Sequence, residues 1–95
     1  MRIKNPDNYV LAEFQISNTL HKKYDAILVN KMTLRSKRVP FGDVRYYHYR
    51  DRTPLRYYSY LDHNDLNRRH RYLTRTDKNN DFKYSSAWFS KHYLW

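Results

Sequence analysis

The stretch DHNDLNRRHRYLTR, residues 62–75, decides how the rest of the chain is read. It predicts a short helix with a defined start and a strong polarity. Asp62 suits the N-cap, and Asp65 follows three residues later, close to the capping-box spacing that satisfies the first free N–H groups. Arg68, Arg69, Arg71 and Arg75 load the far end, where the helix dipole favours cations. At helical spacing Leu66, His70 and Leu73 fall on one side, and Arg68, Arg71 and Arg75 fall on the other. Asp65 is within i+3 and i+4 reach of Arg68 and Arg69. The expected helix has a narrow buried edge and a broad cationic face. What that face meets is the functional question.

Just before this stretch, residues 44–61 read VRYYHYRDRTPLRYYSYL, aromatic and basic by turns. Thr53-Pro54 is a helix-start signal, with Thr as cap and Pro at the first helical position. Leu55, Tyr58 and Leu61 then recur at helical spacing, so a second short helix is expected to meet the first at a tight corner. Leu55, Tyr58, Leu61, Leu66 and Leu73 form the expected helical half of the core.

Further upstream, Tyr24-Asp25-Ala26-Ile27-Leu28-Val29 is a strand by its β-branched and aromatic content. Asn30-Lys31 supplies a turn. Met32-Thr33-Leu34 with Arg38-Val39-Pro40-Phe41 supplies the return strand, which Pro40 ends or confines to a sheet edge. Gly42 is the sole glycine, expected where the backbone excludes other residues. Residues 1–20 read as an extended N-terminal arm. Val10, Ala12, Phe14 and Ile16 alternate with Leu11, Glu13, Gln15 and Ser17, an edge able to add to another sheet. Residues 76–81, TDKNND, are a polar loop. After it Ser85 or Ser86 caps a last short helix, on which Trp88, His92 and Trp95 share a face. Residues 21–95 are thus a single small α+β domain: a β-hairpin or antiparallel sheet packed by two or three short helices.

Composition narrows the function. A chain of 95 residues buries about 60–65% of its unfolded surface, so the core is small. Eleven Tyr, four Phe and two Trp must build much of it. With no cysteine, neither disulfides nor thiolate metal sites stabilise the fold, which favours completion by a partner. Nineteen Lys and Arg against nine Asp and Glu give +10, a field suited to polyanions. Charge alone does not separate a solvated surface from contact with an acidic protein or a nucleic acid. No apolar run approaches the ~20 residues that span a bilayer, and the start lacks the apolar segment of a signal peptide. An intracellular or particle-borne protein is expected.

The chain resembles a family of small basic proteins of unknown function from large, nucleocytoplasmic double-stranded DNA viruses, the giant viruses of algae and protists. The resemblance rests on Lys23-Tyr24-Asp25-Ala26, Pro40-Phe41-Gly42-Asp43, Tyr49-Arg50-Asp51-Arg52-Thr53-Pro54-Leu55 and Tyr58-Ser59-Tyr60-Leu61-Asp62-His63-Asn64-Asp65. It continues through Arg68-Arg69, Tyr72 and Phe89-Ser90-Lys91-His92-Tyr93-Leu94-Trp95, and departs at Thr76, where the pattern has His. It implies a viral protein located in the virion and in the infected host cell during assembly.

No enzyme signature appears. His21, His48, His63, His70 and His92 show no metal-ligand spacing, and Asp43, Asp51, Asp62 and Asp65 all fall at turns or caps. No phosphate-cradling glycine loop or nucleophile elbow is present. No catalytic residue, cofactor, metal, small-molecule substrate or membrane span is expected. The leading expectation is a minor structural protein wedged between larger capsid or internal virion proteins. Trp88, Tyr93 and Trp95 would anchor it, and Arg68, Arg71 and Arg75 would neutralise an acidic neighbour. The alternative is a virion-packaged nucleic-acid-binding protein, with DNA as the partner, using Arg45, Tyr46, Tyr47, Arg50, Arg68, Arg71 and Arg75.

Overall fold

A three-stranded antiparallel sheet in the order β1-β2-β3 carries two helices, an α+β arrangement. The computed structural model describes residues 3–76 and 82–95, so Met1, Arg2 and the polar loop beyond Thr76 lie outside the described residues. The strands are β1 (Tyr9–Ile16), β2 (Lys22–Asn30) and β3 (Ser36–Asp43), and the helices are α1 (Leu66–Thr76) and α2 (Ser86–Tyr93).

The N-terminal extended segment is the first strand of the sheet, with Tyr9 opposite Asn30 and Ile16 opposite Tyr24. Its alternation is interrupted by a bulge between Leu11 and Glu13. The extra residue puts Leu11 and Phe14 on the core side together and leaves Ala12 and Glu13 exposed. Strand β2 is central and almost wholly buried, and β3 pairs along its other edge, with Pro40 in that outer strand.

The return strand begins later than its sequence suggests. Met32, Thr33 and Leu34 belong to the turn, where the Asn30 side chain accepts from Met32 N–H at 2.8 Å and Thr33 N–H at 3.1 Å. Leu34 closes that turn in the left-handed region, at φ 61°. The Asx-type bonds hold the chain out of the ladder for three more residues.

The core is aromatic, as composition requires. Tyr24, Phe41 and Phe89 are fully buried together with Ala26, Leu28 and Val39. Phe41 stacks on Phe89 at 5.4 Å between centroids, and the ring of Phe14 meets both edge-on. Full burial of each such ring contributes about 2–3 kcal/mol. Ser85 caps α2 by accepting from Trp88 N–H at 3.1 Å, and the Ser86 hydroxyl ties the helix to the Pro40 carbonyl.

Two helical expectations are corrected. Residues 53–61 form no α-helix: bends lead to a single 3₁₀ turn at Ser59–Leu61. Thr53 stays close to Arg56 N–H at 3.4 Å, but Arg56 adopts φ 49° and breaks the turn. The other helix begins at Leu66 rather than near residue 62. Its cap is Asp65, which accepts from Asn67 N–H at 2.9 Å and Arg68 N–H at 3.2 Å. The expected helical core changes accordingly. Tyr58 is buried and Leu61 and Leu73 are half-buried, but Leu55 and Leu66 are exposed and His70 faces solvent. Arg69, Tyr72 and Leu73 form the covered side of α1 instead, with Tyr72 stacked on Trp95 at 4.2 Å. No helix of the described residues is long and apolar enough to cross a membrane.

Candidate functional site

Residues 44–65 have little regular structure, yet two carboxylates, the buried Asp51 and the half-buried Asp62, help fix their path. Asp51 takes four hydrogen bonds. One oxygen accepts from Thr53 N–H at 2.9 Å and the Thr53 hydroxyl at 2.7 Å; the other accepts from the Tyr24 hydroxyl at 2.5 Å and Tyr58 N–H at 3.2 Å. Asp62 is freed from helix capping and accepts from Asp51 N–H at 2.8 Å and from His48 Nε2 at 2.5 Å. His48 is fully buried, and its Nδ1 lies 2.8 Å from Lys23 Nζ.

The proton positions follow from the partners. A carboxylate only accepts, so His48 Nε2 carries the hydrogen and Nδ1 accepts from the Lys23 ammonium. Protonating Nδ1 would set two donors against each other. Burial first, and then the adjacent Lys23 charge, hold the His48 pKa below its ordinary 6.5. Burial also lowers Lys23 to about 8, against the raising pull of Asp43, Asp51 and Asp62. Lys23 additionally donates to the Tyr46 carbonyl at 2.9 Å, which ties the segment after β3 to the start of β2.

That tie shapes a cleft of about 590 Å³. Its lining includes Lys22, Arg45, Tyr46 and Tyr47 from the β2 start and the segment after β3, and Arg68, Tyr72, Arg75 and Trp95 from α1 and the chain's last residues. Lys23, Gly42 and Leu94 meet in the same lining. Gly42 sits at φ 75°, where a Cβ would come within 2.9 Å of Leu94 Cδ1 and 3.1 Å of Lys23 Cδ. Its conformation and its missing side chain both admit this approach.

The lining is strongly cationic: Lys22, Lys23, Arg45, Arg68 and Arg75 face one carboxylate, Asp43. Asp43 grips Arg45 with two bonds of 3.0 and 2.7 Å, and these hold its carboxyl well below the usual carboxylate range. Among the described residues Lys22, Arg68 and Arg75 have no ion-pair partner. Tyr46 and Tyr47 are 65% and 57% exposed, and the Arg45 guanidinium lies over the Tyr46 ring at 5.9 Å. A recess of about 200 Å³ adjoins, lined by Arg68, Arg71, Tyr72, Arg75 and Trp95.

The cleft therefore gathers Arg45, Tyr46, Tyr47, Arg68, Arg75 and Trp95 from the sequence-predicted sets, with Arg71 at its side. It does not include Arg50, which donates to Asn64 at 3.0 Å and lies over the Tyr49 ring. Trp88 stacks on His92 at 4.1 Å, and Tyr93 packs against Phe14 at 4.7 Å. All three terminal rings, Trp88, Tyr93 and Trp95, are half-buried against the chain's own core. Lys22, Lys23 and Tyr72 are the residues that sequence reasoning missed. Consecutive lysines opening a strand offered a faint signal for Lys22; nothing local marks Lys23 as buried. No protein-family model, curated protein or solved structure matches the chain.

Proposed function

We propose that this chain is a non-enzymatic nucleic-acid-binding module. One observation carries the reading: two basic segments over twenty residues apart in sequence line one cleft, together with two exposed tyrosines. Lys22, Arg45, Arg68 and Arg75 suit phosphate oxygens, and Tyr46 and Tyr47 suit bases. The half-buried state of Trp88, Tyr93 and Trp95 favours this reading over an aromatic wedge between larger proteins, because those rings already have partners.

The test is binding of a labelled oligonucleotide by the full chain across a salt series. Affinity should fall steeply with added salt, since each phosphate contact releases counterions. Arg68→Gln with Arg75→Gln should weaken binding by roughly ten- to hundredfold at fixed salt and make the salt slope shallower. Arg50→Gln, outside the cleft, should change little. Absence of binding at low salt would refute the reading.

A structural role in a virus particle remains a compatible second reading, supported by the viral resemblance and by one surface feature. Met32 and Leu34 are 83% and 75% exposed at the tip of the β2–β3 turn, apolar surface that suits a protein neighbour. Recovery of the chain from purified particles, in the genome rather than the shell fraction, would place it with nucleic acid; absence from particles would remove the virion setting.

A further inference from the structure

Resting on the nucleic-acid reading, we infer that the cleft selects single-stranded over double-stranded nucleic acid. Its cations line a concave recess. Proteins that read a duplex present a convex element, a helix or a β-ribbon, to a groove. Here α1 lends Arg68 and Arg75 to the lining, and its Tyr72 is stacked on Trp95. A volume of about 590 Å³ is that of a site for a compact ligand, which suits a short run of nucleotides rather than the breadth of a duplex.

The exposed rings make the same distinction chemically. Tyr46 and Tyr47 are exposed beside Lys22 and Arg45, and with Arg45 over one face of Tyr46 a base can take the other, extending the stack. A duplex keeps its bases stacked on one another and offers these rings little beyond sugar and phosphate. A single strand can turn a base onto each ring while its phosphates meet the flanking cations. The shelf that carries the rings is held from below, because Lys23 donates to the Tyr46 carbonyl and to His48. Both acceptors hold the ammonium in a buried position, so Lys23 fixes the shelf from within and leaves the phosphates to the exposed cations.

The experiment compares a single-stranded 12-mer, as DNA and as RNA, with the matched duplex and with inorganic polyphosphate, at one salt concentration. The expected result is at least tenfold tighter binding of single strands than of duplex, with quenching of tyrosine emission only by single strands. Tyr46→Ala with Tyr47→Ala should erase the preference and leave the weaker, charge-driven binding. Tyr46→Phe with Tyr47→Phe should preserve it. Both side chains are exposed, so these variants keep the fold. Equal or tighter binding of the duplex overturns the inference and leaves the nucleic-acid reading standing. Binding of polyphosphate but of no oligonucleotide overturns both.

Discussion

At the scale of single residues, the informative group is the buried cation at the start of β2. Lys23 is 2% exposed, and its pKa falls from 10.5 to about 8. Between these values the unfolded chain holds a proton that the folded chain has released, so stability rises with pH across that window. His48 acts in the same direction at lower pH. Its folded pKa lies below 6.5, so the unfolded state takes up the proton first and stability falls as pH drops below that value. Tyr24 opposes them at high pH. Burial and its bond to Asp51 raise it from 10.0 to about 12, so stability is lost as pH climbs through that range. Urea midpoints measured from pH 5 to 12 should therefore climb to a maximum near pH ~10, with Lys23 accounting for on the order of 2–3 kcal/mol of the climb. Lys23→Met should flatten the profile between pH 8 and 10.5. A wild-type profile that is level from pH 6 to 10 would contradict this account.

At the scale of elements, the segment between β3 and α1 is held by a carboxylate as well as by scattered backbone bonds, among them His48 N–H to Leu61 and Arg52 N–H to Tyr93. Asp51 binds Tyr24 of the sheet and three groups of its own segment at once. Asp51→Ala should cost about 3 kcal/mol, because buried donors lose a charged acceptor. Chemical denaturation measures that loss, and hydrogen exchange should accelerate first at the amides of Thr53 and Tyr58. A cost under about 0.5 kcal/mol would show that packing and those backbone bonds alone hold the segment. The same residues explain where sequence reading failed. Thr53-Pro54 and the Leu55, Tyr58, Leu61 spacing are genuine local helix signals, each worth about a kcal/mol or less. Asp51 sets against them contacts with Tyr24, twenty-seven positions away in sequence. Asp62 looked like a cap for the same reason, until His48 and the Asp51 backbone claimed its oxygen. The neighbouring strands were legible because β2 states its burial in its own composition.

At the scale of the whole molecule, a net charge of +10 on 95 residues is a cost of folding and, under the proposed function, a means of binding. Few of these cations are paired: the described residues hold ion pairs at Asp25–Arg38, Asp43–Arg45 and Asp7–Lys83, His48 being neutral beside Asp62. Screening the self-repulsion should thus stabilise the free protein. Raising sodium chloride from 20 to 300 mM should add ~1 kcal/mol and lift the thermal midpoint by several degrees. Over the same range oligonucleotide affinity should collapse, so the two responses have opposite sign. A midpoint that falls with salt would mean that attractive pairs outweigh repulsion. The sequence by itself determined the charge, the aromatic make-up of the core, the central strand and the left-handed glycine. Each of these is a property of composition or of neighbours along the chain. Only tertiary structure decided that Arg45, Tyr46 and Tyr47 line one cleft with Arg68 and Arg75, and that Lys23, His48 and Asp62 are joined in one chain of hydrogen bonds. Their juxtaposition depends on hydrogen bonds between segments remote in sequence, which no periodicity or local propensity records.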